Sequence, residues 1–271
     1  MRSRIVRFVK KKYSSFLEQR ITRLSAQERE NIDRYISRLN SMEHQPNTPI
    51  KVGFVVQMPE IWNKEAPLYE AMVKDSRFDP WLIVVPIKRL DKRKRSEYGK
   101  ELAYFKKEYP SAQMLTSKDL TESFCKLEKH SFHYVFFQRC WESYLPEALS
   151  THQVIRYAKT CYIPYVYHFF DEWNSYYKMR FFSSLYVMFC SNDSQLKQYQ
   201  PKDSRNSLFL GYPCLTDIQY LPLSKNKNKT ILWTPRWDTS LDYGGTSFFG
   251  YRNNFVSLKK KWLNHFFCGM V

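Results

Sequence analysis

The sequence predicts an α/β protein built on a Rossmann-like parallel sheet flanked by helices, with a helical N-terminal extension and an incomplete second domain. Two observations predict this fold. Short runs rich in β-branched and aromatic residues recur along the chain, as expected of strands that are buried on both faces. Between several of these runs lie stretches with helical spacing of apolar residues, and repeated β-α-β order is typical of a doubly wound sheet.

Residues 1–49 predict a basic amphipathic helical region. Apolar residues recur at three- and four-residue spacing over 5–24 and form one stripe on a helix. A second helix begins at Ser25, where Ser25 and Glu28 form a capping box. The first helix could lie in an anionic lipid interface or pack as a solvated helix on the body of the protein. For the lipid interpretation, the membrane-binding residues would be the six basic side chains Arg2, Arg4, Arg7, Lys10, Lys11 and Lys12.

Residues 50–221 predict one Rossmann-like domain. It would contain strands at 50–57, 81–85, 134–138, 161–165, 186–190 and 207–211, and helices at 67–74, 97–108, 117–129 and 147–159. The polar segment 222–229 predicts a linker. The strand "TILWT" then opens a second domain at 230–271, and we expect that domain to be incomplete.

Composition narrows the possible partners. The net charge of +17 suits an anionic membrane surface, a phosphorylated substrate or nucleic acid. No helix-turn-helix, zinc-finger or ribonucleoprotein pattern occurs, so we expect no nucleic-acid partner. No apolar run reaches membrane-spanning length, and no signal peptide is present, so a location on the cytoplasmic side is predicted. The six dispersed cysteines predict buried thiols, and the pair His130 and His133 lacks a third metal ligand, so no metal is expected.

Candidate site residues follow from where ligands bind in an open parallel sheet, which is beyond the carboxyl ends of its strands. Gln57 and Arg139 follow two of the predicted strands and could bind substrate. The candidate catalytic residues at these strand ends are Glu60, Glu142 and His168, with His168 as a possible general base. Alternatively, the two carboxylates are surface charges at helix starts, and the histidine is a packed, hydrogen-bonded side chain.

The second predicted domain offers a candidate phosphate site. Arg236 follows its first strand, and Gly244 and Gly245 come shortly afterwards. A guanidinium can bind a phosphate through two hydrogen bonds while glycine backbone N–H groups assist.

Four stretches of the chain resemble bacterial CDP-glycerol glycerophosphotransferase-like proteins. They are "KVGFVVQMPEIWNKEAPLYEAM", "YVFFQRCWESYLPE", "YAKTCYIPY" and "ILWTPRW". The resemblance covers about residues 50–255 and implies a GT-B fold, in which two Rossmann-like domains face each other across the active site. It implies that the domain at 50–221 is the acceptor-side domain and that the incomplete domain at 230–271 is the start of the donor-binding domain. It implies transfer of a polyol phosphate from a CDP-activated donor to a lipid-linked acceptor in teichoic-acid or capsule synthesis. It also implies a peripheral position on the inner face of the membrane and no cofactor.

Individual residues match the family's pattern unevenly. Pro235 and Trp237 match its strand-end loop, whereas Arg236 stands where threonine is usual and Asp238 where arginine is usual. His168 is the nearest counterpart of the family's histidine base. Because the later donor-binding segments do not follow, we expect a fragment with little activity on its own. Two alternatives stay open: a sugar-nucleotide glycosyltransferase of the same fold, and a non-enzymatic basic protein that binds membrane surfaces.

Overall fold

The computed structural model describes much of the chain between residues 26 and 215 and two short segments beyond it. The described residues are 26–42, 47–86, 99–116, 127–164, 177, 179–199, 207–209, 211, 213–215, 232–233 and 267–268. The chain divides into two compact units, Met1–Gln219 and Tyr220–Val271. The domain limits inferred from the sequence, including the linker at 222–229, stay predictions.

The first unit is organised around a seven-stranded sheet in which all neighbouring strands run parallel. Its strands lie in the order β3-β2-β1-β4-β5-β6-β7. This order, in which β1 lies between β2 and the central strand β4, is that of a doubly wound sheet. The predicted Rossmann-like α/β fold is therefore confirmed. In chain order the strands are β1 (Ile50–Val56), β2 (Phe78–Val84), β3 (Gln113–Thr116), β4 (Tyr134–Phe137), β5 (Lys159–Tyr162), β6 (Val187–Cys190) and β7 (Ser207–Phe209).

Helices cover both faces of this sheet. The described α-helices are α1 (Ala26–Ser41), α2 (Ala66–Val73), α3 (Lys100–Glu108), α4 (Thr151–Val154), α5 (Arg180–Ser183) and α6 (Asp193–Tyr199). Single 3₁₀ turns or short 3₁₀ helices occupy Pro59–Lys64, Leu127–His130, Glu142–Tyr144, Glu147–Leu149 and Pro213–Leu215. None of the helices in the described ranges is long and apolar enough to cross a membrane.

The strands bury side chains on both sides because their residues alternate between two apolar layers. On β1, Phe54 packs in the layer that contains Tyr69 of α2 and Phe105 of α3. Its neighbour Val55 packs in the opposite layer, where Phe181 of α5 lies. This alternation explains why the strand sequences read as continuous apolar runs rather than as alternating patterns.

Helix α1 attaches to the unit through a third, smaller apolar cluster. Its buried residues Ile32, Ile36 and Leu39 recur at helical spacing and pack against Ile155. The Tyr186 hydroxyl, at the start of β6, donates a hydrogen bond to Asn40 Oδ1 at 2.5 Å. The N-terminal extension therefore packs on the first unit at least from residue 26 onwards.

Several sequence-based boundaries differ from the structure. The predicted helix at 147–159 is a 3₁₀ turn followed by the one-turn helix α4, because Ser150 adopts an extended backbone (ψ 148°) between them. Strand β3 was not predicted, since only four residues form it and its first residue, Gln113, is exposed. Most of the predicted helix at 117–129 lies outside the described residues.

The second unit is described only at two short strands. Strand β8 (Leu232–Trp233) pairs in parallel with β9 (Phe267–Cys268). Strand β8 lies within the predicted "TILWT" strand. Parallel neighbours need a crossover connection, and residues 234–266 separate the two strands.

Gly53, in the middle of β1, is a position where the sheet has no room for a side chain. A Cβ atom at Gly53 would lie 2.8 Å from Ile83 Cδ1 and 3.3 Å from the Phe132 ring. Ile83 is fully buried and Phe132 nearly so, which leaves both little freedom to move. The close packing of β1 against β2 and the segment before β4 therefore requires glycine here.

We predict that Gly53→Ala lowers the free energy of unfolding by about 1–3 kcal/mol, because the added methyl group overpacks the core. Ile83→Val removes the contacting Cδ1 atom and alone should cost about 0.5–1.5 kcal/mol. In the Ile83→Val background, Gly53→Ala should cost less than in the native chain. Chemical unfolding of the four proteins measures this coupling, and equal costs in both backgrounds would show that the Cβ–Cδ1 contact is not the cause.

Candidate functional site

The sheet has a topological switch point between β1 and β4. From β1 the chain winds outwards through β2 and β3, whereas from β4 it winds the other way through β5, β6 and β7. The connections that leave β1 and β4 therefore diverge, and in open α/β sheets such a point forms the ligand crevice outside the carboxyl ends of the strands. We call this region of the protein the crevice. The segments at this crevice are 57–65, which follows β1, and 138–140, which follows β4.

The Gln138 side chain joins these two segments. Its Oε1 accepts hydrogen bonds from the backbone N–H groups of Gln57 (2.8 Å) and Met58 (2.7 Å). Its Nε2 donates to the carbonyl of Met58 at 2.7 Å. Gln138 is 1% exposed, so its amide substitutes for a stretch of sheet ladder in a place that water does not reach. The start of the loop after β1 is thereby fixed to the end of β4.

Lys64 joins the same loop to β4 and β5. Its side chain is 1% exposed. The ammonium donates to the carbonyl of Gln138 at 2.7 Å and to the carbonyl of Ile163, just after β5. Nζ also lies 4.9 Å from the centre of the Tyr162 ring. Burial lowers the pKa of Lys64 to about 8, and the neighbouring Glu65 carboxylate opposes that shift.

Glu65 supplies the negative charge closest to Lys64. The Nζ–Oε1 distance is 3.7 Å, so the contact is an ion pair that is too long for a hydrogen bond. Among the described residues, neither carboxylate oxygen of Glu65 has a hydrogen-bond partner. Burial raises the pKa of Glu65 to about 7, against the attraction of Lys64. This buried carboxylate is therefore costly to keep charged.

Three of the residues predicted as site residues lie at the crevice. Gln57 is buried directly after β1, and its backbone is held by Gln138. Glu60 is exposed in the first turn of the 3₁₀ helix that follows. Arg139 is half-buried directly after β4, and its charge contributes to the lowered pKa of Lys64. The roles assigned to them from the sequence stay predictions.

Glu142, the fourth, is engaged in a polar network next to the crevice. Its Oε1 accepts hydrogen bonds at 2.7 Å from both the backbone N–H and the hydroxyl of Thr151, at the first turn of α4. Its Oε2 lies 3.4 Å from Nε of Arg180. Arg180 also pairs with Glu147, which contacts His152 at 3.1 Å. These contacts give Glu142 a helix-capping role, and its catalytic role is a prediction that they do not address.

Other predicted residues lie outside the described residues. They are His168, Arg236, Gly244, Gly245 and the basic residues Arg2, Arg4, Arg7, Lys10, Lys11 and Lys12.

Of the histidine pair considered for metal binding, His133 uses Nδ1 to accept a hydrogen bond from the backbone N–H of Lys51 at 2.9 Å. Within the described ranges, no group of three or more His, Cys, Asp or Glu side chains could hold a metal ion. Cys140, Cys161 and Cys190 are buried free thiols.

An aromatic cluster holds the 3₁₀ helix Pro59–Lys64 in place above the sheet. Trp62 is 2% exposed and makes edge-to-face contacts with Phe54 and Phe105. Its indole N–H donates to the Tyr109 hydroxyl at 2.9 Å, and that hydroxyl donates to Glu70 at 3.0 Å. Lys64 is thus carried by a helix that both the core and a polar tether fix.

A separate cleft of about 170 Å³ lies between α1 and the region of α4. It shares none of its lining residues with the crevice, as they are Glu28, Asn31, Ile32, Tyr35, His152, Gln153 and Arg156. Burial is the first cause of the lowered pKa of His152 there, and the positive charge of Arg180 adds to it. We place the candidate functional site at the crevice, because the parallel sheet opens there.

Sequence reasoning missed Gln138, Lys64 and Glu65. In the string "NKEAPLYE" the Lys–Glu pair resembles ordinary surface charge at a helix start, and such residues are rarely buried without a partner. Their position within ten residues of the end of the first strand was the available signal. The sequence places Gln138 at the end of a predicted strand, and no local pattern shows that its amide bonds to another loop.

One comparison with a solved structure supports the fold of the first unit. A UDP-GlcNAc 2-epimerase structure from Neisseria meningitidis, bound to UDP-GlcNAc, matches with a TM-score of 0.51 and 12% identity, over 81% of this chain and 65% of that chain. A structure from Listeria monocytogenes, named as a candidate UDP-N-acetylglucosamine 2-epimerase, matches with a TM-score of 0.43 and 12% identity, over 70% of this chain and 55% of that one. This chain thus spans less than two thirds of either structure's length. No protein-family model and no curated protein matches it. The first unit has a GT-B-like, Rossmann-type fold.

We predict that Gln138→Met lowers the free energy of unfolding by about 3 kcal/mol, because it leaves the N–H groups of Gln57 and Met58 and the Met58 carbonyl without their partner. The matched control is Gln113→Met. Gln113 is exposed on β3 and donates one hydrogen bond, to Asp79 at 2.7 Å. That control should change stability by no more than about 0.5 kcal/mol. Urea unfolding monitored by tryptophan fluorescence compares the two variants. Equal decreases in the free energy of unfolding would show that the buried Gln138 hydrogen bonds contribute no more to stability than the exposed Gln113 bond.

Proposed function

We propose that this protein is a GT-B-like transferase that acts on a nucleotide-activated polyol phosphate of the CDP-glycerol type, in the synthesis of a cell-surface polymer such as teichoic acid or capsule. The observation that carries the proposal is the crevice at the β1/β4 switch point. Buried hydrogen bonds of Gln138 and Lys64 fix the backbone of its loops before any ligand arrives. Polyol-phosphate transfer depends mainly on positioning and charge stabilisation, so a preformed polar crevice suits it.

The proposed reaction needs cations near the transferred phosphate and an acceptor for one proton. The acceptor hydroxyl attacks phosphorus and loses its proton to a base, a new P–O bond forms, and the bond to the leaving CMP breaks. Arg139 is the half-buried guanidinium at the crevice and is assigned to the phosphate oxygens. Glu60 is the exposed carboxylate there and, together with His168 from the sequence argument, is a candidate base.

A second candidate is a transferase that uses a nucleotide sugar. The matching structure from Neisseria meningitidis is described as bound to UDP-GlcNAc. The two candidates share the fold and the crevice and differ in the donor. The resemblance of four sequence stretches to CDP-glycerol enzymes favours the polyol phosphate.

Binding of nucleotide donors to the 271-residue chain tests the proposal. Because the later donor-binding segments do not follow in this chain, we expect CDP-glycerol to bind weakly, yet more tightly than UDP-GlcNAc, in isothermal titration calorimetry, with AMP as the unrelated nucleotide. Arg139→Gln should weaken binding of CDP-glycerol about tenfold, the effect of losing one charged hydrogen bond. Arg77→Gln is the matched control, because Arg77 is exposed, pairs with Asp75 and precedes β2 at the amino ends of the strands.

Each result of that experiment has a defined meaning. Tighter binding of UDP-GlcNAc would favour the second candidate over the first. No binding of either donor at about 1 mM, a concentration at which even weak specific ligands register, would contradict both. Equal effects of Arg139→Gln and Arg77→Gln on binding would show that the donor does not bind at the crevice.

We further propose that the basic N-terminal segment brings the protein to an anionic membrane surface, where a lipid-linked acceptor resides. The full chain should sediment with vesicles that contain phosphatidylglycerol and not with phosphatidylcholine vesicles, and added salt should reduce sedimentation. Deletion of residues 2–12 should abolish it, since each basic residue near the surface adds about 1 kcal/mol. Unchanged sedimentation of the deletion variant would contradict this role.

A further inference from the structure

Lys64 connects the segments that follow three neighbouring strands of the sheet, β1, β4 and β5. It lies in the last turn of the 3₁₀ helix after β1. Its ammonium donates to the carbonyl of Gln138, directly after β4, and to the carbonyl of Ile163, directly after β5. The carboxyl ends of β1, β4 and β5 are therefore tied to one nitrogen atom.

Stability alone is a weak reason to bury this lysine. Removing an ammonium and a carboxylate from water costs several kcal/mol per ion, and apolar side chains of similar volume often replace such pairs without loss. The compensation of charge is also incomplete. Glu65 approaches Lys64 only to 3.7 Å, and within the described part of the chain its oxygens accept no hydrogen bond. The pair is thus retained at a cost that an apolar core would avoid.

We propose that Lys64 is a positioning residue for the ligand site. Its bond to the Gln138 carbonyl fixes the peptide group that leads into Arg139, and its bond to the Ile163 carbonyl fixes the peptide group that leads into Pro164. The separation of Gln138 and Ile163, the first residues after β4 and β5, is thereby set before a ligand binds. The nucleotide part of this inference rests on the proposed function, whereas the loop-fixing part does not.

Glu65 acts in this arrangement as the counter-charge. The residue is fully buried, with 0% exposure, so the structure gives a ligand no access to its carboxylate. Within the part of the chain that the structure describes, Arg139 and Cys140, both in the segment after β4, also act on the pKa of Lys64. Charged or titratable groups of the segments after β1 and β4 therefore surround Lys64.

A matched pair of variants isolates the contribution of Lys64. The reference is Glu65→Gln, which removes the counter-charge and leaves the lysine. The test variant is Lys64→Met in the Glu65→Gln background, which removes the two carbonyl bonds without leaving a buried carboxylate alone. If the test variant does not fold, Lys64→Gln in the same background takes its place, because a glutamine amide can donate to one carbonyl.

Amide hydrogen exchange followed by NMR measures the loop-fixing part. The backbone N–H of Gln138 donates to Val55 O at 3.2 Å, and those of Gln57 and Met58 donate to Gln138 Oε1. We expect these three amides to exchange at least about tenfold faster in the test variant than in the reference. In the test variant, local opening of the loop does not have to break the two Lys64 hydrogen bonds, so opening costs less free energy. The Leu115 amide on β3 should exchange equally in both. Equal exchange of the three amides would overturn the proposal.

Titration of CDP-glycerol and UDP-GlcNAc into the same two variants measures the ligand part. The dissociation constant should rise about tenfold from the reference to the test variant for whichever donor the native chain binds. Gly53→Ala, a destabilised variant away from the crevice, should bind like the native chain and so exclude a general stability effect. Faster exchange with an unchanged dissociation constant would overturn the positioning role. If the native chain binds neither donor, the proposed function fails, and the exchange comparison still decides whether Lys64 fixes the loops.

Discussion

The polar side chains at the β1/β4 boundary are the constraint on which the rest of this site depends. Beyond the ends of the two strands their connections diverge, so the backbone ladder cannot continue to hold them together. Gln138 replaces it with three hydrogen bonds to Gln57 and Met58, and Lys64 adds the carbonyls of Gln138 and Ile163. These bonds are buried where water cannot replace them, so breaking one leaves a backbone group without a hydrogen-bond partner. The residues directly after β1, β4 and β5 are consequently fixed relative to one another.

Aromatic packing in the core determines where the 3₁₀ helix that carries Lys64 lies. Phe54 on β1 stacks on Phe136 of the neighbouring strand β4 at 5.0 Å, and Trp62 meets Phe54 edge to face at 6.0 Å. The tryptophan thus anchors the 3₁₀ helix that carries Lys64, while the tether from its indole N–H to Tyr109 fixes the ring. A polar site at a strand end can be this ordered because a large, rigid aromatic group supports it from the core side.

The sequence was sufficient for most of the sheet. Strands buried on both faces leave continuous apolar runs, so the run at 50–57 identified β1 to within one residue of its observed end at Val56. The rule that ligands bind at carboxyl ends then selected Gln57 and Arg139, which lie directly after β1 and β4, and their binding roles stay predictions. Short or interrupted elements were harder, because the edge strand β3 buries little and α4 spans one turn only. Lys64 could not be recognised, since burial of a charged side chain depends on partners that lie 74 and 99 residues away in the chain.

We propose that ligands bind at the crevice between β1 and β4 rather than in the cleft between α1 and α4. Titration of CDP-glycerol, and then of UDP-GlcNAc, into the ¹⁵N-labelled chain with amide chemical shifts as the readout distinguishes the two places. We expect the largest shift changes on Gln57, Met58, Gln138 and Arg139. Changes confined to Asn31, His152 and Gln153 would contradict it.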